Sequence, residues 1–379
     1  MPTPEHDAIH MQRALDLAAK ALGRTSPNPA VGAVIVRDGQ VLGEGFHRRA
    51  GLPHAEIEAL RRVHGSAQGA TLYVNLEPCS HHGRTPPCAD AVIRAGLKRV
   101  VVGMVDPNPL VRGRGIRRLR RAGIEVQAGV LRERCERLNE DFATFIRLGR
   151  PMVMLKLAAS LDGRIATASG DSQWISGELS RRLVHELRNR VDAILVGAAT
   201  VRMDDPQLTC RLRGGRDPLR IVVDGRLSMP PTARVCTQPS TAKTLVVTTE
   251  DQAKSRKKKA LERQGVEVLG FPGEHGRVQL LSVLEELGRR GLKSVMIEGG
   301  GQMAAAALKE GVVDKVLFFY GPKLLGAEGR PMVGALGIDR VAAGLKLHTI
   351  ELHRLQDDVL VTGYIGGKER NHANRRSPR

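Results

Sequence analysis

Three residues whose types and spacing suit a metal ion stand close together early in the 379-residue chain: His54, Cys79 and Cys88. One imidazole and two thiolates form the ligand set of an open zinc site, in which two sulfurs balance the charge of Zn2+ and water takes the fourth position. Zinc in such a site lowers the pKa of its water toward ~7 and so supplies hydroxide at neutral pH. Glu56 follows two residues after His54, at the start of an expected helix. From there its carboxylate can reach the water without binding the metal, taking a proton and delivering it to a departing amine. Two other readings of the same side chains stay open: a disulfide between Cys79 and Cys88, or a structural zinc completed by His81 or His82. The five cysteines are an odd number with no dense framework, which favours metal or catalysis over a disulfide in a reducing compartment.

A second segment with chemical content is Glu298-Gly299-Gly300-Gly301-Gln302, directly after the apolar strand Val295–Ile297 and before the helix-forming run Met303–Leu308. Glycines between strand and helix let backbone N–H groups approach a phosphate at the positive helix end; a tight strand-to-helix turn would use the same glycines. No G-x-G-x-x-G turn follows a strand in this half, so a Rossmann assignment has no support.

These residues need elements to carry them, and the chain reads as alternating helices and strands. A helix is predicted over Ala8–Leu22, stopped by Gly23. The run Val31–Val36 and a second apolar run flank Arg37-Asp38-Gly39 as a hairpin. A helix over Ala55–Val63, strand Thr71–Leu76, helix Ala89–Ala95 and strand Arg99–Met104 follow, then a helix-to-strand step at Ala122–Val126. The helical stretch Arg132–Leu148 ends at Gly149-Arg150-Pro151, because proline cannot continue it. That stop predicts a boundary between a domain over 1–149 and another over 150–365. Strands at Met152–Ala158, Ala193–Val196, Arg220–Val223, Thr244–Val247, Ser294–Ile297 and Lys315–Tyr320 alternate with helical segments, which predicts a second α/β domain with a mainly parallel sheet. No internal repeat is evident.

Composition narrows the class. The chain is 41% hydrophobic and 26% charged, the balance of a globular protein and not of a disordered or collagen-like one. Lys plus Arg number 59 against 40 Asp plus Glu, a net charge of +19 that favours phosphorylated or polyanionic partners. Aromatics make up only 3%, so base-stacking platforms are scarce. The basic run Lys254–Lys259 reads as the solvated face of a surface helix, and the basic tail over 366–379 as disordered. No secretory signal and no apolar run of about 20 residues is present. A cytoplasmic protein with no membrane and no nucleic-acid partner is expected.

The pattern His54-Ala55-Glu56, Pro78-Cys79 and Cys88 resembles the zinc deaminases, whose signature is H-x-E…P-C-x-x-C with glutamate as acid and base. Eight residues, from Ser80 to Pro87, separate the cysteines here, where the general motif has two. With this longer spacing, His82-Gly83-Arg84-Thr85-Pro86-Pro87-Cys88 is similar to the deaminase half of the bifunctional deaminase/reductases of riboflavin biosynthesis. The flanking stretches Pro27–Ala33, Gly43–His47 and Asp106-Pro107-Asn108-Pro109 agree with that family. The resemblance spans roughly residues 8–148. It implies a cytidine-deaminase-like fold, with Glu56 catalytic and His54, Cys79 and Cys88 holding one Zn2+. The substrate would be a phosphoribosylaminopyrimidine, with Arg84 and its histidine neighbours either contacting it or lying in a solvated loop.

The stretch Lys156–Ala166 resembles the opening strand and turn of the dihydrofolate-reductase-like reductases of the same family, as do Ser172–Ile175, Ala199-Thr200-Val201 with Asp204-Asp205-Pro206, and Pro322–Gly326. This resemblance covers about residues 150–363 and implies an α/β reductase domain using NADPH. By matching positions, Ala158, Trp174, Thr200, Asp204 and the turn Gly300, Gly301, Gln302, Met303, Ala304, Ala305 and Ala306 fall where the family holds NADPH. Ser172, Arg188, Leu208, Arg211 and Glu298 fall where it holds the substrate. Arg188 and Arg211 suit a phosphate, since a guanidinium makes bidentate bonds to one; Trp174 could equally be an ordinary core residue. Lys156 could orient or protonate the substrate. The expected protein is a homo-oligomer that deaminates and then reduces a phosphorylated pyrimidine. A nucleic-acid-editing deaminase fused to an unrelated domain, or a zinc-stabilised binding module, are the competing readings.

Overall fold

The computed structural model describes residues 3–81 and 86–366; His82–Thr85 of the cysteine insert and the basic tail from Gly367 onward lie outside the described residues. The chain divides after Gly149 into two compact units.

The first unit opens with α1 (Pro4–Ala19), and a hairpin of β1 (Gly32–Arg37) and β2 (Gln40–Phe46) follows. The hairpin turn is Asp38-Gly39, both at positive φ, which matches the right-handed strand twist. Then come α2 (Ala55–Leu60), β3 (Thr71–Leu76), α3 (Cys88–Arg94), β4 (Arg99–Met104), α4 (Arg114–Arg121), β5 (Glu125–Ala128), α5 (Arg132–Leu138) and α6 (Glu140–Leu148). The sheet order is β2-β1-β3-β4-β5, antiparallel where β1 meets its two neighbours and parallel from β3 to β5. Strand β4 is buried along its whole length, which is why its residues after Arg99 read as an unbroken apolar run.

Helix α1 turns Met11, Ala14, Leu15 and Ala18 to the sheet at the spacing of a single helix face. It lies so close that a side chain at Gly32 of β1 would stand 2.0 Å from the Ala14 carbonyl oxygen. The start of α1 is held by charge as well as packing. Arg99 donates to both Asp7 oxygens at 2.8 Å, and the buried Tyr73 hydroxyl donates to one of them at 2.9 Å.

The helix predicted over Arg132–Leu148 is interrupted at Asn139. Its buried side chain accepts from the Ala30 N–H at 2.8 Å and donates to the Ala30 carbonyl at 3.0 Å. A residue spending its amide on a distant backbone leaves the helical path, and α5 and α6 result.

The second unit is built on β6 (Met152–Ser160), followed by β7 (Arg164–Ala166), α7 (Glu178–Arg190), β8 (Ala193–Gly197), α8 (Ala198–Asp204), β9 (Leu219–Val223), α9 (Arg234–Thr237), β10 (Thr244–Thr249), α10 (Arg256–Glu262) and β11 (Glu267–Phe271). A small hairpin of β12 (Gly273–Glu274) and β13 (Arg277–Val278) leads to α11 (Leu280–Arg289), β14 (Ser294–Glu298), α12 (Gly301–Lys309), β15 (Lys315–Gly321), β16 (Arg330–Pro331), β17 (Leu347–Leu355) and β18 (Asp358–Ile365). Nine strands form one sheet in the order β11-β10-β9-β8-β14-β6-β15-β18-β17. It is parallel from β11 to β15, with an antiparallel pair at the far edge. Apolar clusters cover both faces, one around Val153, Leu155, Val283 and Ala304 and another around Ile194, Val222 and Val246. Burial on both sides again explains the apolar runs that predicted these strands. Only α10, from Arg256, carries the basic run as a helix; Gln252–Lys254 is a single 3-10 turn before it. Among the described residues, no helix is long and apolar enough to cross a membrane.

Candidate active sites

In the first unit, three element starts converge. His54 is the residue capping α2, Cys79 follows β3 by three positions, and Cys88 is the first residue of α3. His54 Nδ1 lies 3.3 Å from Cys88 Sγ and 3.7 Å from Cys79 Sγ, and the three ligand atoms all lie within 4.8 Å of one another. Tetrahedral zinc, with bonds of roughly 2.0 Å to nitrogen and 2.3 Å to sulfur, sets its ligand atoms about 3.5 Å apart. The donor set and its spacing therefore fit zinc. His81 does not join the group, and His82 lies outside the described residues. Cys79 and Cys88 are both free.

The sulfurs are polarised before any metal binds. The hydrogen bond from the Cys88 thiol pulls the Cys79 thiol down to about 4, helped against burial by His54; the same bond pushes the Cys88 thiol up. The Cys88 backbone N–H also donates to Cys79 Sγ at 3.3 Å. Glu56, in the first turn of α2, is 4% exposed. Burial, with the neighbouring Cys79 charge, pushes its carboxyl up to about 7.

Two features around this cluster carried no assigned role in the sequence reading. The His47 ring packs edge-on against His54 with centroids 5.3 Å apart, and its nitrogens contact Asn28 at 3.0 Å and the Pro53 carbonyl at 3.1 Å. Glu77, two positions before Cys79, accepts from the backbone N–H groups of Asp106, Gly113 and Ile116 at 2.8–3.2 Å. The expected hairpin was the available signal for the first, because it ends just before His47 and brings that ring toward the His54 turn. Glu77 gave no local signal, since its partners lie about thirty residues on.

In the second unit, β14 pairs in parallel with β6 so that Glu298 stands opposite Lys156. Arg188, from α7, reaches across and donates to both Glu298 oxygens at 2.8 and 2.9 Å, and to the Thr209 carbonyl at 3.0 Å. Burial alone would raise Glu298, but the charge and hydrogen bonds of Arg188, then Lys156, bring it down to about 2. Burial lowers Lys156, with Glu298 opposing. Arg188, read from sequence as a phosphate ligand, thus spends its fork on an internal carboxylate.

The glycine run after β14 enters α12. Gly299 sits at φ +123, and a Cβ there would stand 2.8 Å from Thr200 Oγ1. Gly300 N–H donates to that same oxygen at 3.4 Å, so the starts of α8 and α12 meet at the carboxyl ends of β8 and β14. A Cβ on Gly301 would strike the Pro331 carbonyl oxygen at 2.5 Å, whereas one on Gly300 would meet nothing nearer than 3.8 Å. This leaves a cradle open at the positive end of a nine-residue helix, the arrangement that suits a cofactor phosphate. Ala304 and Ala305 are buried in the core side of α12, while Gln302 is exposed and Met303 and Ala306 half-buried.

The remaining predicted positions vary in access. Ala158 and Ser172 are half-buried and Arg211 is exposed. Asp204 ends α8, its carboxyl raised by burial against the pull of Arg330. Leu208 is buried at φ +56. Trp174 is 57% exposed with the Arg181 guanidinium 4.8 Å above its ring, so the alternative of an ordinary core tryptophan does not hold.

A His/Cys/Cys triangle spaced for a metal ion beside a buried glutamate on one α/β unit, and a glycine cradle over a parallel sheet on the other, define a class: a zinc deaminase joined to an α/β reductase. Comparison with known proteins gives the same division. Residues 4–104 match the cytidine and deoxycytidylate deaminase zinc-binding region, and residues 151–361 match the RibD C-terminal domain. The riboflavin biosynthesis protein RibD of Synechocystis is 46% identical over 366 residues, 96% of this chain and 98% of its own. RibD of Escherichia coli is 42% identical over 93% of this chain and 98% of its own. Among solved structures, the diaminohydroxyphosphoribosylaminopyrimidine deaminase/5-amino-6-(5-phosphoribosylamino)uracil reductase of Thermotoga maritima superposes with a TM-score of 0.85 at 40% identity, covering 96% of this chain and 99% of its own. Acinetobacter baumannii RibD gives 0.83 at 38% identity with the same coverage. The chain belongs to the RibD family, and is an enzyme of riboflavin biosynthesis with deaminase and reductase activities that depend on zinc and NADPH.

Proposed function

We propose that the first unit hydrolyses the exocyclic amine of 2,5-diamino-6-(5-phosphoribosylamino)pyrimidin-4(3H)-one, and that the second reduces the ribosyl group of the resulting 5-amino-6-(5-phosphoribosylamino)uracil to ribityl. The observation that carries this reading is the buried Glu56 carboxylate placed beside, but not within, the ligand triangle of His54, Cys79 and Cys88.

Zinc, when bound, supplies the Lewis acidity that makes water a nucleophile at neutral pH. His54 and the two sulfurs would hold it, leaving a fourth position open. Glu56 takes one proton from the attacking water and delivers it to the departing amino group, so that water is consumed and ammonia released. Burial of Glu56 keeps bulk water from competing for that proton.

In the second unit, NADPH supplies the reducing equivalent. Ala158, Trp174, Thr200, Asp204 and the turn from Gly300 to Ala306 would hold it, the turn offering backbone N–H groups at a helix start. Ser172, Arg188, Leu208, Arg211 and Glu298 would hold the substrate. Glu298 stays ionised between Arg188 and Lys156 and so can accept sugar hydroxyls, Lys156 orients the sugar beside it, and exposed Arg211 is left for the phosphate.

We further read the protein as cytoplasmic, homo-oligomeric and without a nucleic-acid partner. The low aromatic content and the small phosphorylated substrate named for the Thermotoga maritima relative support the last of these. The test is Glu56→Gln in the full chain. Metal analysis should find zinc retained, ammonia release should be abolished, and NADPH oxidation with supplied deaminated substrate should persist. Continued ammonia release would refute the role of Glu56, and absence of ammonia release from the zinc-loaded wild type as well would favour a zinc-stabilised binding module. Deamination of cytidine in RNA or DNA would favour a nucleic-acid editor.

A further inference from the structure

Helix α7 carries His185 and Arg188 three residues apart, a spacing that puts both on one face. That face meets residues 208–211, which hold two of the substrate positions proposed above, Leu208 and Arg211. The backbone there is tied down residue by residue. Leu208 is buried in the left-handed region at φ +56, where a bulky side chain stays only when its surroundings hold it. The Thr209 carbonyl accepts from Arg188 Nη1 at 3.0 Å. The Cys210 N–H donates to Asp217 Oδ1 at 2.7 Å, and the Ser240 hydroxyl fixes the other oxygen of Asp217 at 2.7 Å. The Cys210 thiol donates to the His185 carbonyl at 3.5 Å. The last tie is the Arg211 N–H, which donates to His185 Nδ1 at 3.3 Å.

Neither proposed activity uses His185, yet its ring is set to accept. It is half-buried. Burial, then the charges of Arg188 and Arg211, push it down to about 4 against the pull of Glu298. At neutral pH the imidazole is therefore uncharged, and an uncharged imidazole has one bare nitrogen. Because Nδ1 takes the Arg211 N–H, the ring proton sits on Nε2. A lysine or arginine here would add a third cation and offer no acceptor. An aliphatic residue would leave the Arg211 N–H without this partner.

We infer that His185 is a positioning residue of the reductase: by anchoring the main chain at Arg211 it aims that guanidinium at the substrate's phosphate, acting through Arg211 and not on the substrate. The inference rests on the reading of the second unit given above and deepens it at Arg211. A guanidinium meets a phosphate with two parallel bonds only over a narrow range of directions. Arg211 is exposed, so packing does not supply that direction. Fixing its main chain removes freedom that binding would otherwise have to remove. Arg188 does not take over the task, because its own fork is spent on Glu298.

The test is steady-state NADPH oxidation by the full chain, with 5-amino-6-(5-phosphoribosylamino)uracil and with its dephosphorylated form. His185→Leu removes the acceptor and should raise the KM for the phosphorylated substrate about fivefold, the worth of one neutral hydrogen bond. The kcat, the KM for NADPH and the KM for the dephosphorylated substrate should hold. His185→Asn places a carbonyl oxygen near the Nδ1 position and should recover most of the loss. Arg211→Gln should itself raise the KM for the phosphorylated substrate, and in that background His185→Leu should add less than about twofold. His185→Phe keeps a flat ring without an acceptor and gives the same comparison should the leucine variant not fold. Equal weakening of both substrates, additive effects of the two substitutions, or an asparagine variant no better than leucine would each overturn the inference. Failure of the underlying reading would show separately: Arg211→Gln would leave both KM values unchanged, or the wild type would oxidise NADPH with neither substrate.

Discussion

Glu298→Gln offers a direct test of the charge arrangement in the second unit. The wild-type carboxylate is almost enclosed, with Glu298 and Arg188 side chains 10% and 12% exposed, and it receives two bonds from one guanidinium. Lowering a carboxyl from 4.5 to about 2 corresponds to roughly 3 kcal/mol of stabilisation of the ionised form. Breaking a buried pair from one side costs roughly 3–5 kcal/mol because the other charge is left uncompensated. Here the variant strands two cations, Arg188 and Lys156. For a unit of this size about 3 kcal/mol lowers the melting temperature by roughly 6–12 °C. The double variant Arg188→Met/Glu298→Gln removes the stranded guanidinium and should recover more than half of that loss, although the Thr209 carbonyl then loses a donor. Calorimetric melting is the assay, because both positions lie in the proposed substrate site and activity would not separate the two variants. The carboxyl is depressed on folding, so its contribution is present above about pH 4.5 and is lost as pH falls toward 2; the gap between wild type and variant should close over that window. A Glu298→Gln protein melting with the wild type at pH 7, or a double variant no more stable than the single, would refute the account.

Further outcomes follow from other contacts. Arg99→Met leaves Asp7, 1% exposed, with Tyr73 as its remaining side-chain donor, and should destabilise the first unit by at least about 3 kcal/mol in denaturant melting followed by ammonia release. Gly300→Ala should keep wild-type stability yet weaken NADPH binding, measured by fluorescence titration, because its Cβ enters the open cradle. Gly301→Ala should instead lower the melting temperature, because its Cβ meets the Pro331 carbonyl. Chelation should stop ammonia release and spare NADPH oxidation on deaminated substrate; equal loss of both would mean that zinc supports the second unit too.

Parts of this molecule were legible from sequence for identifiable reasons. Strands Thr71–Leu76 and Arg99–Met104 are buried on both faces, so their apolar runs declare them, and the spacing of His54, Glu56, Cys79 and Cys88 is chemistry written locally. What escaped depends on distant partners. The break at Asn139 arises from Ala30, more than a hundred positions away. The pairing of Arg188 with Glu298 spans 110 positions. The final hairpin of β17 and β18 went unseen because β17 is a largely exposed edge strand without an apolar face.

The anchoring of Glu77 has a consequence for the cysteine spacing. By gripping three amides from the start of α4 and the loop before it, this carboxylate seats the polypeptide just ahead of Cys79, while Cys88 is seated by being the opening residue of its own helix. Elements flanking the span between them thus help to place both sulfurs. The eight-residue separation of the two cysteines, in place of the two residues of the general motif, is therefore compatible with bringing both sulfurs within reach of one ion.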